Sequence, residues 1–238
     1  MKILALETSA KAVSVAVAED DTILASRFAN EGQTHSVTMM PMLDGMLKEA
    51  GLTVRDMDLI AVANGPGSFT GLRIGVSAAK GLAWTLDIPC CGVSTPEAMV
   101  QNALDFDGLV IGAMDARRNQ IYNALFLCRD GKAQRLTPDR AIGLDALLPE
   151  LEKYRNFPKL VVGDGARLCY TYLSEHGVAC ELREGETGLQ NARGVAKAAY
   201  AMASRGETVS ARDLTPVYLR LSQAERERLA RGLPITLE

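Results

Sequence analysis

A glycine-rich loop, GPGSFTGLRIG, follows the apolar run LIAVAN and begins a helical pattern. Glycines between a strand and a helix commonly form a phosphate-binding loop, because backbone N–H groups at the helix start attract anions. Phosphate binding is therefore the first chemistry to test on this stretch of the chain.

The loop departs from each established pattern of that kind. Its last glycine is followed by Leu-Arg, where a Walker loop needs Lys and a hydroxyl residue. Gly65, Gly67 and Gly71 are spaced one residue too wide for a dinucleotide fingerprint, and Pro66 has no N–H to donate. Ser68 does not lie in the G-x-S-x-G pattern of an esterase. Nucleotide binding stays possible, and close packing is the alternative.

The helix after this loop carries a stripe of small residues. At about 100° per residue, Gly71, Gly75 and Ala79 fall on one line. Glycine inside a helix costs about 1 kcal/mol relative to alanine, so two on one stripe predict that another backbone approaches closely. The approaching backbone belongs either to this chain's own sheet or to a partner protein, and the periodicity does not distinguish them.

The segment HSVTMMPMLDGMLKEAG predicts an earlier helix that ends at Gly51. Its apolar residues cover a wider arc than one core-facing stripe requires. Met39, Met42 and Met46, beside His35, are candidates for a partner-binding edge, since methionine adapts to binding surfaces. Burial between two layers is the alternative, and it explains Val37, Met40, Leu43 and Leu47 equally well.

The overall composition is that of a soluble globular protein. The 238 residues are 47% hydrophobic and 23% charged, with a net charge of −3, which argues against a nucleic-acid-coating protein. No run reaches the roughly 18 apolar residues of a membrane span, and early charges argue against a signal peptide, so we expect a cytoplasmic protein without membrane contact. Five cysteines without a C-x-x-C pair indicate reduced, mostly buried thiols.

Strands in a meander followed by alternating strands and helices occur twice along the chain. The first set runs from MKILALE to the helix TPEAMVQNALD, and the second begins at GLVIGAMD. Two α/β halves of about 100 residues each are therefore predicted. The helix LDALLPELEKY and the charged tail helix after TPVYLR complete the predicted elements.

Four segments together resemble the bacterial TsaB (YeaZ-like) family: ILALETSAKAVSVAV, GPGSFTGLRIG, MDARRNQIY and PVYLR. The resemblance extends over nearly the whole chain. It implies an α/β fold with two similar lobes of the actin/Hsp70/sugar-kinase (ASKHA) type, each a mixed sheet with flanking helices. We expect an N-terminal lobe at 1–103, a C-terminal lobe at 104–211, and a tail at about 212–238 that packs back on the first lobe.

The resemblance also implies a function. It describes a non-catalytic assembly subunit that dimerises with a catalytic TsaD-like paralogue and supports transfer of a threonylcarbamoyl group to N6 of adenosine 37. The tRNAs concerned read codons that begin with A, and tRNA would be met through the complex. A TsaE-like ATPase completes the complex, and a homodimer forms when the paralogue is absent.

In this family the first two helices form the dimer interface, which corresponds here to 35–50 and 69–86. The expected interface residues are His35, Met39, Met42, Met46, Gly71, Leu72, Gly75, Ala79 and Leu82. On this hypothesis Gly75→Leu abolishes pairing with the paralogue and leaves the monomer folded.

ATP-using members of the superfamily hold magnesium and nucleotide in a cleft between the lobes. The matching positions here are Glu7, Thr8, Ser9, Asp115, Gly163 and Gly165. They form either a site for weakly bound ATP or ADP with Mg²⁺, or ordinary loops, and no cofactor is expected to be required. Arg117 and Arg118, on the turn after Asp115, are candidates for contact with RNA or a partner.

Catalytic alternatives remain. The paralogue binds its metal through two histidines four residues apart, whereas His35 is followed by Met39, so no metal site is expected. A small Mg-dependent ATPase or kinase using Glu7 and Asp115 is the second hypothesis. A glycoprotease-like peptidase is the third, although no histidine pair, serine–histidine set or reactive cysteine supports it.

Overall fold

The computed structural model describes residues 1–32, 34–221 and 223–232, and the elements below lie within those ranges. Runs rich in valine, isoleucine and alanine form a first sheet of five strands in the order β3-β2-β1-β4-β5. Its strands are β1 Lys2–Glu7, β2 Val13–Glu19, β3 Thr22–Ala29, β4 Leu59–Gly65 and β5 Cys90–Ser94. The first three pair antiparallel, whereas β4 lies parallel to both β1 and β5.

The first lobe places two helices on one face of this sheet. They are α1 His35–Glu49 and α2 Phe69–Trp84, close to the predicted 35–50 and 69–86. Both begin near the carboxyl end of β1: a ring nitrogen of His35 lies 2.7 Å from the Ala10 carbonyl oxygen, and the Ser68 N–H donates to the Ser9 carbonyl at 2.7 Å. The loop Thr8–Ala10 is therefore the point where both helices start.

The second sheet repeats the mixed pattern in the order β11-β10-β6-β7-β8, with β9 also paired to β7. Its strands are β6 Gly108–Asp115, β7 Gln120–Arg129, β8 Lys132–Arg135, β9 Arg140–Gly143, β10 Lys159–Val162 and β11 Glu181–Leu182. The hairpin of β6 and β7 turns at Ala116–Asn119, as the sequence predicts. The remaining helices are α3 Thr95–Gln101, α4 Leu148–Leu151, α5 Ala166–Glu175, α6 Ala192–Ser204 and α7 Gln223–Ala230.

The predicted helix LDALLPELEKY is divided in the structure. Asp145–Leu147 and Glu152–Tyr154 are short 3₁₀ turns on either side of α4. Pro149 has no N–H to donate to the carbonyl four residues earlier, so the first turn cannot continue as an α-helix.

Helix α3 packs on both sheets, whereas α6 packs on the first sheet. Met99 and Val100 of α3 pack into the core of the second sheet, while Ala98 of the same helix belongs to the core beneath the first sheet. The alanine-rich α6 packs against that first sheet, with Val195 among its buried residues, although sequence boundaries assign α6 to the segment 104–211. The lobes therefore share core packing at α3, and α6 belongs spatially to the first sheet.

The segment 212–221, here called the strap, runs back along α2. Lys80 donates its ammonium to the carbonyls of Arg212 and Leu214, at 2.9 and 3.0 Å. Farther along, the Val217 N–H donates to the Asn64 carbonyl at 2.7 Å. The tail residues 222 and 233–238 lie outside the described residues. Within the described ranges, no helix combines the length and apolarity that crossing a membrane requires.

Candidate functional site

The glycine loop packs against this chain's own first strand. A side chain at Gly71 would overlap the Thr8 carbonyl, and one at Gly75 would overlap the Thr8 hydroxyl. That hydroxyl donates to the Gly71 carbonyl at 2.7 Å. The glycine stripe therefore exists because the end of β1 approaches the first turns of α2, and not because a second protein approaches.

The same contacts leave little of the loop for a phosphate. Ser68 caps α2, with its hydroxyl accepting from the Gly71 N–H at 3.3 Å. A side chain at Gly67 would overlap the Ser9 carbonyl. The N–H groups of Ser68 and Gly71 are thus engaged inside the protein, and the packing alternative explains the glycines.

On α1 the structure buries two of the residues predicted for the interface. Met39 and Met46 are almost fully buried beneath the helix, in the core of the first lobe. Val37 and Met40, which the alternative places in the core, are instead 70% and 41% exposed. The arc of apolar residues is wider than the buried face, so periodicity alone could not fix which edge faces the sheet.

The interface predicted on α2 is corrected in the same way. Gly71, Leu72, Gly75 and Ala79 are all buried against the first sheet. Three predicted residues, His35, Met42 and Leu82, remain partly exposed. The exposed side of these helices therefore carries residues other than most of the predicted set, and the interface itself stays a prediction.

Glu7 lies at the end of β1 and is completely buried. Its Oε1 accepts the Ser9 N–H at 2.6 Å, and Oε2 has no hydrogen-bond partner among the described atoms. Burial raises the pKa of this carboxyl to about 7; the hydrogen bond from Ser9 opposes the shift and the negative charge of Asp164 adds to it. A large fraction of Glu7 is therefore neutral near pH 7.

Asp164 and Gln190 lie close to Asp115, and sequence reasoning missed both. The Gln190 amide donates to Asp164 Oδ1 at 2.6 Å, and the Asp115 N–H lies 3.4 Å from the same oxygen. Asp164 keeps an accessible surface, yet the surrounding protein desolvates it and raises the pKa of its carboxyl. The clue was its place after β10, since β10 and β6 are parallel and parallel strands end at one edge of a sheet.

The two glycines flanking Asp164 have a packing role. Gly163 has φ +113°, and its N–H donates to the Gly188 carbonyl at 2.7 Å. A side chain at Gly165 would meet the backbone nitrogen of Asp115 at 2.7 Å. Both glycines thus allow the turn after β10 to contact the end of β6, and Asp115 itself is exposed at that end.

The described residues contain no group of three histidine, cysteine or acidic side chains arranged to hold a metal. Nε2 of His35 lies on the Ala10 carbonyl, and His176 stacks on Tyr172 with ring centroids 4.2 Å apart.

The cysteines are free thiols, four buried and Cys180 half-buried. Burial raises the pKa of Cys91 and of Cys169 to about 12 and that of Cys128 to about 11. These thiols are therefore protonated at neutral pH and are poor nucleophiles.

The turn after β6 has an unusual backbone. Arg117, Arg118 and Asn119 follow one another with φ of 63°, 56° and 54°, a conformation that such residues seldom adopt. The Asp115 carboxylate accepts the Arg117 N–H at 2.7 Å, and the Arg220 guanidinium donates to the Ala116 carbonyl at 2.5 Å. The two arginine side chains project from this turn and are exposed.

Two mixed sheets with flanking helices define a two-lobed fold of the ASKHA type. Component A of the (R)-2-hydroxyglutaryl-CoA dehydratase of Acidaminococcus fermentans shares this fold, with a TM-score of 0.51 and 13% identity over 86% of this chain and 99% of that chain. YeaZ from Pseudomonas aeruginosa is more similar, with a TM-score of 0.75 and 27% identity over 92% of this chain and 99% of its own.

Sequence comparison gives the family. The model of the family described as TsaD, tRNA N6-adenosine threonylcarbamoyltransferase, matches residues 22–213. The tRNA threonylcarbamoyladenosine biosynthesis protein TsaB of Bacillus subtilis is 35% identical over 225 residues, which cover 94% of this chain and 96% of that protein. The chain belongs to the TsaB family, as the motifs of its sequence indicate.

Proposed function

We propose that this protein takes part in the biosynthesis of threonylcarbamoyladenosine in tRNA, as an assembly subunit without catalysis of its own. The observation that carries the proposal is its likeness to TsaB proteins along almost the full length of both chains. The product is threonylcarbamoyl on N6 of adenosine 37, in tRNAs that read codons beginning with A. A TsaD-like paralogue performs the transfer, and a TsaE-like ATPase completes the complex.

Two observations support the assembly role: the state of the buried Glu7 carboxyl and the exposed apolar side chains on α1. The carboxyl of Glu7 is poorly placed to bind magnesium, since it is completely buried and its pKa of about 7 leaves about half of it protonated at neutral pH. On the outside, α1 exposes Val37 and Met40 to solvent. Exposed apolar side chains on one helix are typical of a protein-binding face.

The partner-binding face of this proposal is the outward side of α1 together with the edge it shares with α2. Val37 and Met40 are its exposed centre, and Met42 and Leu82 are half-buried beside the helix pair. The same face accounts for a homodimer when the paralogue is absent, since one apolar surface serves both pairings. This set replaces the buried residues that the sequence suggested.

The test combines a cellular and a biochemical measurement. Cells depleted of this protein are expected to lose threonylcarbamoyladenosine from total tRNA, measured by nucleoside mass spectrometry. The wild-type gene restores the nucleoside, whereas Val37→Glu with Met40→Glu does not, because two buried charges oppose pairing. An unchanged level in depleted cells would remove the proposed function and favour the Mg-dependent ATPase, tested by ATP hydrolysis that Asp115→Asn abolishes.

A matched control locates the interface. Leu24→Glu makes the same kind of change at an exposed apolar residue of β3, on the edge of the first sheet. We expect Leu24→Glu to co-elute with the TsaD-like paralogue and the Val37/Met40 pair of changes to elute alone, with equal melting temperatures for both variants. Co-elution of the α1 variant would show that this helix face is not the interface.

A further inference from the structure

The strap joins an aromatic pair on α2 to the exposed turn after β6. Its Tyr218 stacks on Phe69 with ring centroids 4.3 Å apart and planes 8° from parallel. Two residues later, Arg220 donates to the Ala116 carbonyl of the turn. Two residues of extended chain span about 7 Å at most, and the Arg220 side chain bridges the remaining distance to the turn.

Tyr218 offers an accessible aromatic surface beside a cation. The residue remains 37% exposed although one ring face lies on Phe69. Its hydroxyl accepts from Arg73 Nε at 2.9 Å, and the Arg73 guanidinium carbon lies 5.7 Å from the Tyr218 ring centroid. Arg73 and Phe69 thus fix the ring in one orientation, which reduces the entropy lost when a planar ligand stacks on it.

The turn adds positive charge that the protein leaves uncompensated. In the part of the chain that the structure describes, Arg117 and Arg118 have no ion pair, whereas Arg27, Arg193 and Arg205 do. The nearby carboxylates are otherwise engaged: Asp115 accepts the Arg117 backbone N–H, and Asp164 accepts the Gln190 amide. Both guanidinium groups are therefore free for an external anion.

We propose that Tyr218, Arg117 and Arg118 form a surface for single-stranded RNA, with a base stacked on Tyr218 and phosphates bound by the two arginines. This proposal rests on the proposed function, which brings tRNA to the complex. Stacking on aromatics and phosphate contacts by arginine are the means by which proteins hold unpaired nucleotides. A loop of tRNA fits because its bases are unstacked, whereas a duplex hides them.

The test is a titration of fluorescent anticodon stem-loop RNA with the full chain and with its complex. Tyr218→Leu removes stacking and is expected to weaken binding by about 5- to 150-fold, from the usual stacking contribution of one base. Arg117→Gln with Arg118→Gln lowers the slope of log affinity against log salt by about 1.4, or about 0.7 for each phosphate contact.

Controls separate chemistry from folding. Tyr218→Phe keeps the ring, and Arg117→Lys with Arg118→Lys keeps the charge, so both are expected to bind nearly as the wild type does. Arg55→Gln removes an exposed arginine from the 3₁₀ turn before β4, at the opposite end of the first sheet. It is expected to change neither affinity nor the salt slope.

Several results would overturn the proposal. One is that neither chain nor complex binds the RNA at low salt; another is that Tyr218→Leu and the glutamine variant bind it unchanged. If these variants no longer bind the TsaD-like paralogue but still bind RNA, the surface binds protein and not RNA. Failure of the proposed function is distinguishable, because it would appear as unchanged threonylcarbamoyladenosine in depleted cells. If threonylcarbamoyladenosine falls in depleted cells and the Tyr218→Leu gene restores it fully, with unchanged RNA affinity, only the RNA surface is rejected.

Discussion

Replacing Glu7 by glutamine tests whether burial of this carboxyl makes the stability of the fold depend on pH. The Glu7 carboxyl is fully buried, and its pKa of about 7 in the folded protein exceeds the ordinary value of 4.5. A group whose pKa rises on folding contributes stability that is fully present below its unfolded pKa. That contribution is lost as the pH rises through the folded pKa. A rise in pH through the folded pKa of Glu7 should therefore lower the stability of the wild-type protein.

The magnitude follows from the two pKa values. The difference between about 7 and 4.5, at about 1.36 kcal/mol per pKa unit, gives about 3 kcal/mol of unfolding free energy over the whole range. Between pH 5 and pH 8.5 the linkage relation leaves about 2.5 kcal/mol of this, because part of it is already lost at pH 5. Glutamine is neutral at every pH and its oxygen can still accept the Ser9 N–H.

The assay is urea unfolding of wild type and Glu7→Gln at several pH values from 5 to 8.5. We expect the wild type to lose about 2.5 kcal/mol more than the variant across this range. Glu31→Gln, a change at an exposed carboxylate, serves as the control and is expected to follow the wild type. Parallel curves for wild type and Glu7→Gln would refute the reasoning, since they would mean that Glu7 ionises in the folded protein as it does in water.

Three further predictions follow from the same contacts. Gly75→Ala should lower the unfolding free energy in urea, because its methyl meets the Thr8 hydroxyl, whereas Gly81→Ala has open space and should raise it by up to about 1 kcal/mol; the same sign for both would contradict the packing argument. Asp164→Asn should move the pH at which Glu7 destabilises the fold downward, and an unmoved transition would show that the two carboxyls do not interact. Under native conditions a thiol reagent should modify Cys180 well before the other cysteines, and fast modification of all five would show an open structure.

The order of strands and helices was accessible from the sequence because each element is locally encoded. The apolar runs of β1 and β2, and the glycine that follows α1, set the elements without tertiary information. The orientation of α1 about its axis was not accessible. Its apolar residues cover an arc wider than the buried face of the helix. Contact with the sheet therefore decides that Met39 is buried and Met40 exposed.

The candidate site was predicted in its position but not in its chemistry. Glu7 and Asp115 stand at strand ends, which sequence patterns and the family resemblance both indicate. The pKa of Glu7 depends on complete burial and on Asp164, a residue 157 positions later, as the difference of the two residue numbers shows. No local pattern reports such a neighbour. Sequence patterns do not indicate Gln190 either, since its contact with the site is a single hydrogen bond to Asp164.

The packed glycines at the strand ends and the exposed surfaces differ in how well they tolerate substitution. A side chain at Gly71, Gly163 or Gly165 would overlap backbone atoms of this chain, and one at Gly75 would overlap the Thr8 hydroxyl. The lobes also share core packing through α3. Because these positions are occupied by internal contacts, substitutions there are expected to disturb the fold. The outward face of α1 and the surface of Tyr218 and the two turn arginines are therefore where variants should alter assembly and RNA binding while the fold persists.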